Sequence, residues 1–89
     1  MIEVTIVYND DSQIKKLGDT YSLKGTSPSF VFLDERTLKG RKKGWSVKSH
    51  WAAKETPFAV VKSDEKVLKV FYSEGGDVIK LLINYLNTL

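Results

Sequence analysis

The chain contains no cysteine. That absence excludes disulfide staples, thiolate zinc sites, iron–sulfur clusters, cysteine nucleophiles and dithiol redox chemistry. A single histidine, His50, argues against a multi-histidine metal site within one chain. Two prolines and six glycines in 89 residues are too few for collagen-like or low-complexity organisation. Apolar runs are short. The stretch around Ile79 to Ile83 falls far below the ~20 residues that a membrane span needs. The opening residues Met1-Ile2-Glu3-Val4 carry no basic leader before an apolar block, so the expectation is a soluble cytoplasmic protein.

The hydrophobic fraction is 42% and the charged fraction 28%, ordinary for one globular domain spanning residues 1–89. Charge is unevenly placed. Between Arg36 and Lys54 there are seven basic residues and no acidic one, against a net +3 for the whole chain. The basic residues are Arg36, Lys39, Arg41, Lys42, Lys43, Lys48 and Lys54, interleaved with Trp45, His50 and Trp51. Two readings stand open for this segment. It is a solvated face kept soluble by lysines, or it holds phosphates or an acidic partner.

Patterning along the chain predicts four strands. Ile2 to Tyr8 is rich in β-branched residues and apolar on both faces at its far end, as in a central strand. Phe30-Val31-Phe32-Leu33 reads as a second strand, Phe58 to Lys62 as a third and Val67 to Tyr72 as a fourth. The last two are joined by Ser63-Asp64-Glu65-Lys66 and predict an antiparallel hairpin. After Asn9-Asp10-Asp11, a short helix is expected over Ser12 to Leu17, stopped by Gly18, with Ile14 and Leu17 facing inward. Asp19 to Ser29 reads as polar and turn-rich. In the middle, Gly40 and Gly44 interrupt any helix begun at Asp34. Ser46 caps a second one through Ala53, with Val47 and Trp51 inward and Trp45 in a loop. Asp77 caps a final helix, Val78 to Leu86, whose buried stripe is Val78, Ile79, Leu82, Ile83 and Leu86. The order is β-α-β-(α)-β-β-α, an α/β fold with a four-stranded mixed sheet flanked by helices.

Ile6-Val7-Tyr8 running straight into a helix, Thr56-Pro57 before the third strand, and Gly75-Gly76-Asp77 before an apolar last helix resemble the thioredoxin and glutaredoxin family. The likeness covers most of the chain, and its motifs are short. Its small, lysine-rich, cysteine-free texture is similar to that of small thioredoxin-like proteins of phages. The resemblance implies a thioredoxin-like fold and a cis peptide at Pro57, against the trans form that proline statistics favour. It also implies that the backbone at Thr56 pairs with extended peptides. One departure is decisive. Where the family carries its CxxC or CxxS motif, this chain has Asn9-Asp10-Asp11-Ser12-Gln13. A serine hydroxyl is neither ionised near neutrality nor able to form a disulfide, so the family's redox activity is not expected.

No other chemistry assembles. Asp10 and Asp11 read as helix-capping residues, or as a weak cation site lacking further oxygen ligands. His50 has Ser46 and Ser49 nearby but no neighbouring acid to complete a hydrolytic triad. Lys39-Gly40-Arg41-Lys42-Lys43-Gly44 lacks the spacing of a phosphate loop. The expectation is therefore a non-enzymatic binding module without cofactor or metal. It engages a protein partner through Thr56, Pro57 and the adjoining basic segment. The alternative is a nucleic-acid-binding accessory protein using Arg41, Lys42, Lys43, Lys48 and Trp45.

Overall fold

The computed structural model describes residues 2–15, 17 and 28–88. The expected stop at Gly18 and most of the turn-rich stretch, 19–27, lie outside the described residues. Four strands, β1 (Ile2–Tyr8), β2 (Ser29–Asp34), β3 (Phe58–Ser63) and β4 (Lys66–Phe71), form one sheet in the order β2-β1-β3-β4. β1 runs parallel to β2, with Val4 opposite Phe30 and Val7 opposite Leu33. It runs antiparallel to β3, with Ile6 opposite Ala59 and Val7 opposite Phe58. The sheet is therefore mixed. The central place of β1 explains why its far end is apolar on both faces.

Strand alternation sends side chains to two separate cores. On one face, Val4, Ile6, Ala59 and Val61 pack with Leu17 and with Val78, Ile79, Leu82 and Leu86 of α2 (Val78–Leu86). On the other, Val7, Leu33, Phe58 and Val60 are covered by Val47 of α1 (Leu38–His50) and by Trp51, just past its end. β3 contributes to both cores and is buried over Phe58, Ala59, Val60 and Val61. Asp77 caps α2 by accepting from the Lys80 N–H at 3.2 Å.

The first helical segment begins as a 3-10 turn, Asp11–Gln13. Asp10 accepts from the Ser12 N–H at 3.0 Å. The Gln13 side chain accepts from the Asn9 and Asp10 amides, closing a capping box. Lys15 and Leu17 are helical, and Leu17 is buried as its spacing from Ile14 predicts.

The middle of the chain corrects the sequence reading. Residues 38–50 form one continuous helix, capped by Thr37 and not by Ser46, with Gly40 and Gly44 inside it. The glycines do not interrupt α1 because they are its docking points. A Cβ at Gly40 would collide with the Asp34 carbonyl oxygen, and one at Gly44 would sit 2.9 Å from Val7 Cγ1. The helix cost of a glycine, roughly 1 kcal/mol, is offset by this close approach to the sheet. Trp45 consequently stands on the helix and not in a loop.

The helix ends in a Schellman motif. The Ala53 N–H reaches the Lys48 carbonyl at 2.8 Å, and the Ala52 N–H the Ser49 carbonyl at 3.3 Å. Ala52 takes the left-handed conformation (φ 55°) that this motif normally gives to glycine. The β3–β4 link is tighter than expected from sequence. Ser63 and Lys66 pair, leaving Asp64 and Glu65 at φ 49° and 70° in a two-residue turn.

Candidate functional site

Parallel β1 and β2 end at Tyr8 and Asp34, and antiparallel β3 starts beside them at Phe58. The segments entering and leaving the sheet at this end meet around a cleft of about 420 Å³. Ser12 and Gln13 line it from the first turn, Thr56 and Pro57 from the approach to β3, and Ser73, Gly76 and Asp77 from the run into α2. The Thr56–Pro57 peptide is cis. Ser73 donates its hydroxyl to the Pro57 carbonyl at 2.6 Å, tying the approach to β3 to the turn that follows β4. Among the described residues, the backbone N–H and C=O of Thr56 make no hydrogen bond. Thr56 is a half-buried residue lining an open cleft, and its backbone donor and acceptor are left for water or a partner to satisfy.

The electrostatics beside this cleft are those of a structural clip. Arg36 Nη2 lies 2.6 Å from Asp11 Oδ1 and 3.0 Å from Asp34 Oδ2. It joins the first turn to the end of β2. The Arg36 guanidinium and backbone N–H, both donating to Asp34, hold that carboxyl below the usual carboxylate range. Hydrogen bonds from Ser12, aided by Arg36, lower Asp10 as well. Asp11 is thus engaged by Arg36. Among the described residues, no group of three or more His, Asp or Glu is placed to hold a metal ion.

The second feature is the outer face of α1. Gly40, Gly44 and Val47 turn toward the sheet, leaving Lys39, Arg41, Lys42, Lys43 and Trp45 exposed. Leu38 and Trp45 are 68% and 69% exposed, the two most open large apolar side chains described. Seven residues apart, they share one face, with Arg41 and Lys42 between them. Lys48 differs from its basic neighbours. Its Nζ lies 2.9 Å from Glu35 Oε2, and both side chains are mostly covered. Lys39, Lys42 and Lys43 have no carboxylate partner among the described residues, and Arg41 donates only to the Glu35 carbonyl at 3.3 Å. His50 is exposed and meets Trp51 edge-on at 5.0 Å. Trp51 packs into the second core, and its carbonyl accepts the Tyr72 hydroxyl at 2.7 Å.

The residues singled out in sequence thus fall on two surfaces. Thr56 and Pro57 line the cleft; Arg41, Lys42, Lys43 and Trp45 stand on α1, which contributes no residue to its lining. Lys48 belongs with Glu35. Sequence reasoning missed Ser73, which carries no motif, and Leu38, whose exposure follows from a helix start it did not place. Among the described residues, no helix is long and apolar enough to cross a membrane. No protein-family model matches the chain, and a search of curated proteins finds no match.

Proposed function

We propose that this chain is a redox-inactive, thioredoxin-like binding module that captures an extended peptide segment of a protein partner along Thr56, in the cleft beside Pro57. The thioredoxin-like assignment is supported by the strand order β2-β1-β3-β4 with β1 and β2 parallel. It is also supported by helical segments packed on both sheet faces and by Ser12 and Thr56 lining one cleft. The observation that carries the peptide reading is the unbonded backbone of Thr56. An extended ligand strand supplies the donor and acceptor that this residue lacks, and it does so without any particular side chain at position 56. Ser12, Gln13, Ser73 and Asp77 then offer polar contacts to the ligand's side chains. With serine where the family has cysteine, no electron moves and the contact is one of binding alone.

Selection of unstructured peptides from a display library against the intact protein tests this, followed by amide chemical-shift and hydrogen-exchange mapping. The expected result is a peptide that shifts the amides of Ser12, Gln13, Thr56 and Gly76 and slows exchange at Thr56. Ser12→Trp, a substitution at an exposed position that fills the cleft, is expected to abolish the contact. A selected peptide that leaves Thr56 exchange unchanged would refute the reading, as would failure to select any.

A further inference from the structure

We propose that the outer face of α1 binds a single-stranded polynucleotide, with Trp45 stacking on a base and Lys39, Arg41, Lys42 and Lys43 meeting its phosphates. This surface is independent of the peptide cleft, with which it shares no residue. Charge complementarity is the first support. α1 carries five basic residues and no acidic one, and only Lys48 is neutralised, by Glu35. Four cations remain, all within residues 39–43, about 6 Å of helix axis, so the occupant brings closely spaced negative charge to this one turn.

The second support is the indole. Trp45 is 69% exposed on the same face as Arg41 and Lys42. It makes no ring contact with another aromatic among the described residues, whereas Trp51 does. A flat aromatic surface rising among cations matches a repeating anion with an unpaired π-face every few ångströms. In duplex DNA those faces are already stacked, and a protruding indole holds the flanking lysines off the phosphates. A protein interface needs an apolar centre larger than Leu38 and Trp45 provide. An anionic bilayer calls for an apolar helix face sunk into the headgroups, and the least polar side of α1 lies against the sheet instead. Stacking on one indole and contact with phosphates do not depend on the sugar or the base, so DNA and RNA single strands are expected to bind alike and with little sequence preference.

The test uses the intact protein with twelve-residue oligo(dT), oligo(U), a duplex of equal length and polyglutamate, read by fluorescence anisotropy and tryptophan quenching. Four phosphate contacts predict a log–log salt slope of about −2.8 for a single strand, hence about 50-fold weaker binding between 50 and 200 mM salt. Trp45→Ala is expected to weaken binding about 5- to 150-fold and remove the quenching, with Trp45→Phe intermediate. Arg41→Ala/Lys42→Ala/Lys43→Ala is expected to flatten the slope by about 2. All these positions are exposed, and an unchanged melting temperature verifies that each variant is folded. Absence of oligo(dT) binding at low salt overturns the proposal. So does equal affinity for the duplex or for polyglutamate, or an unchanged affinity in Trp45→Ala.

Discussion

Gly40 and the carbonyl of Asp34 lie so close that not even a methyl group fits between them, and the end of β2 thereby fixes the start of α1. Thr37 completes the joint. Its hydroxyl donates to the same Asp34 carbonyl at 2.9 Å and accepts from the Gly40 N–H at 3.0 Å. A Cβ at Gly40 would also lie 2.7 Å from that hydroxyl oxygen. Gly40→Ala must therefore shift the helix or break its cap. The expected loss is about 1–3 kcal/mol of unfolding free energy, despite alanine's better helix propensity. Gly44→Ala meets only a Val7 methyl at 2.9 Å and is expected to cost less. Urea denaturation of the two variants gives the order, and a neutral Gly40→Ala would contradict this docking.

Among the described residues, three that are not glycine hold positive φ, namely Ala52, Asp64 and Glu65. At Ala52 and Glu65 the backbone geometry and the side chain disagree, whereas aspartate tolerates the geometry of Asp64. Ala52→Gly is expected to stabilise by about 0.5–1 kcal/mol by relieving the left-handed position of the Schellman motif. Replacing Asp64-Glu65 by Asn-Gly matches the residue preference of a two-residue hairpin turn, and a gain of about 1 kcal/mol is expected. For a domain of this size each kcal/mol raises the melting temperature by roughly 4–8 °C, which calorimetry measures directly.

The clip at Arg36 predicts how stability responds to acid. Asp34 and Asp10 both have carboxyls held below their ordinary value in the folded chain. A depressed folded-state pKa means that the unfolded chain binds protons first. These two groups therefore contribute fully above about pH 4–5, and their contribution fades as pH falls through their folded-state values. Stability should vary little from these groups between pH 5 and 7 and decline below about pH 4. Asp34→Asn should make the acid decline shallower than in wild type. Thermal melts from pH 2 to 7 on both proteins measure the difference, and parallel curves would remove Asp34 from the account.

Lys48 and Glu35 form a 2.9 Å pair with side chains only 13% and 18% exposed, so solvent screens it less than a surface pair. A double-mutant cycle on Lys48→Met and Glu35→Gln is expected to give a coupling of about 1 kcal/mol, the top of the range for exposed pairs. Because Lys48 is committed to Glu35, Lys48→Met is expected to leave the oligonucleotide salt slope unchanged. Lys42→Met should reduce it by about 0.7.

Local chemistry made the strands and the last helix legible. Ile2 to Tyr8, Phe58 to Lys62 and Val67 to Tyr72 alternate or run apolar over strand lengths, and Asp77 stands before an amphipathic stripe. The middle helix was not legible for an equally physical reason. Read locally, glycine is a helix breaker, and its value at positions 40 and 44 lies in what the sheet places opposite it. Ser46 was a plausible cap only as long as Thr37, already bonded to Asp34, was not seen to be one. The cleft was half legible, through Thr56-Pro57 and Gly76-Asp77, but Ser73 enters it from the turn after β4.

By itself, the amino-acid sequence excluded sulfur chemistry, set the strand and helix periodicities and concentrated positive charge between Arg36 and Lys54. Residue type and spacing carry that information. Only the tertiary structure decided which cations remain uncompensated. Glu35 captures Lys48, while Asp11 and Asp34 capture Arg36. It also decided that Trp45 stands exposed on a helix and not in a loop, and that Thr56 meets Ser12 across a cleft. Charge pairing, burial and clefts arise between segments distant along the chain, and a one-dimensional pattern holds no record of which segments the fold brings together.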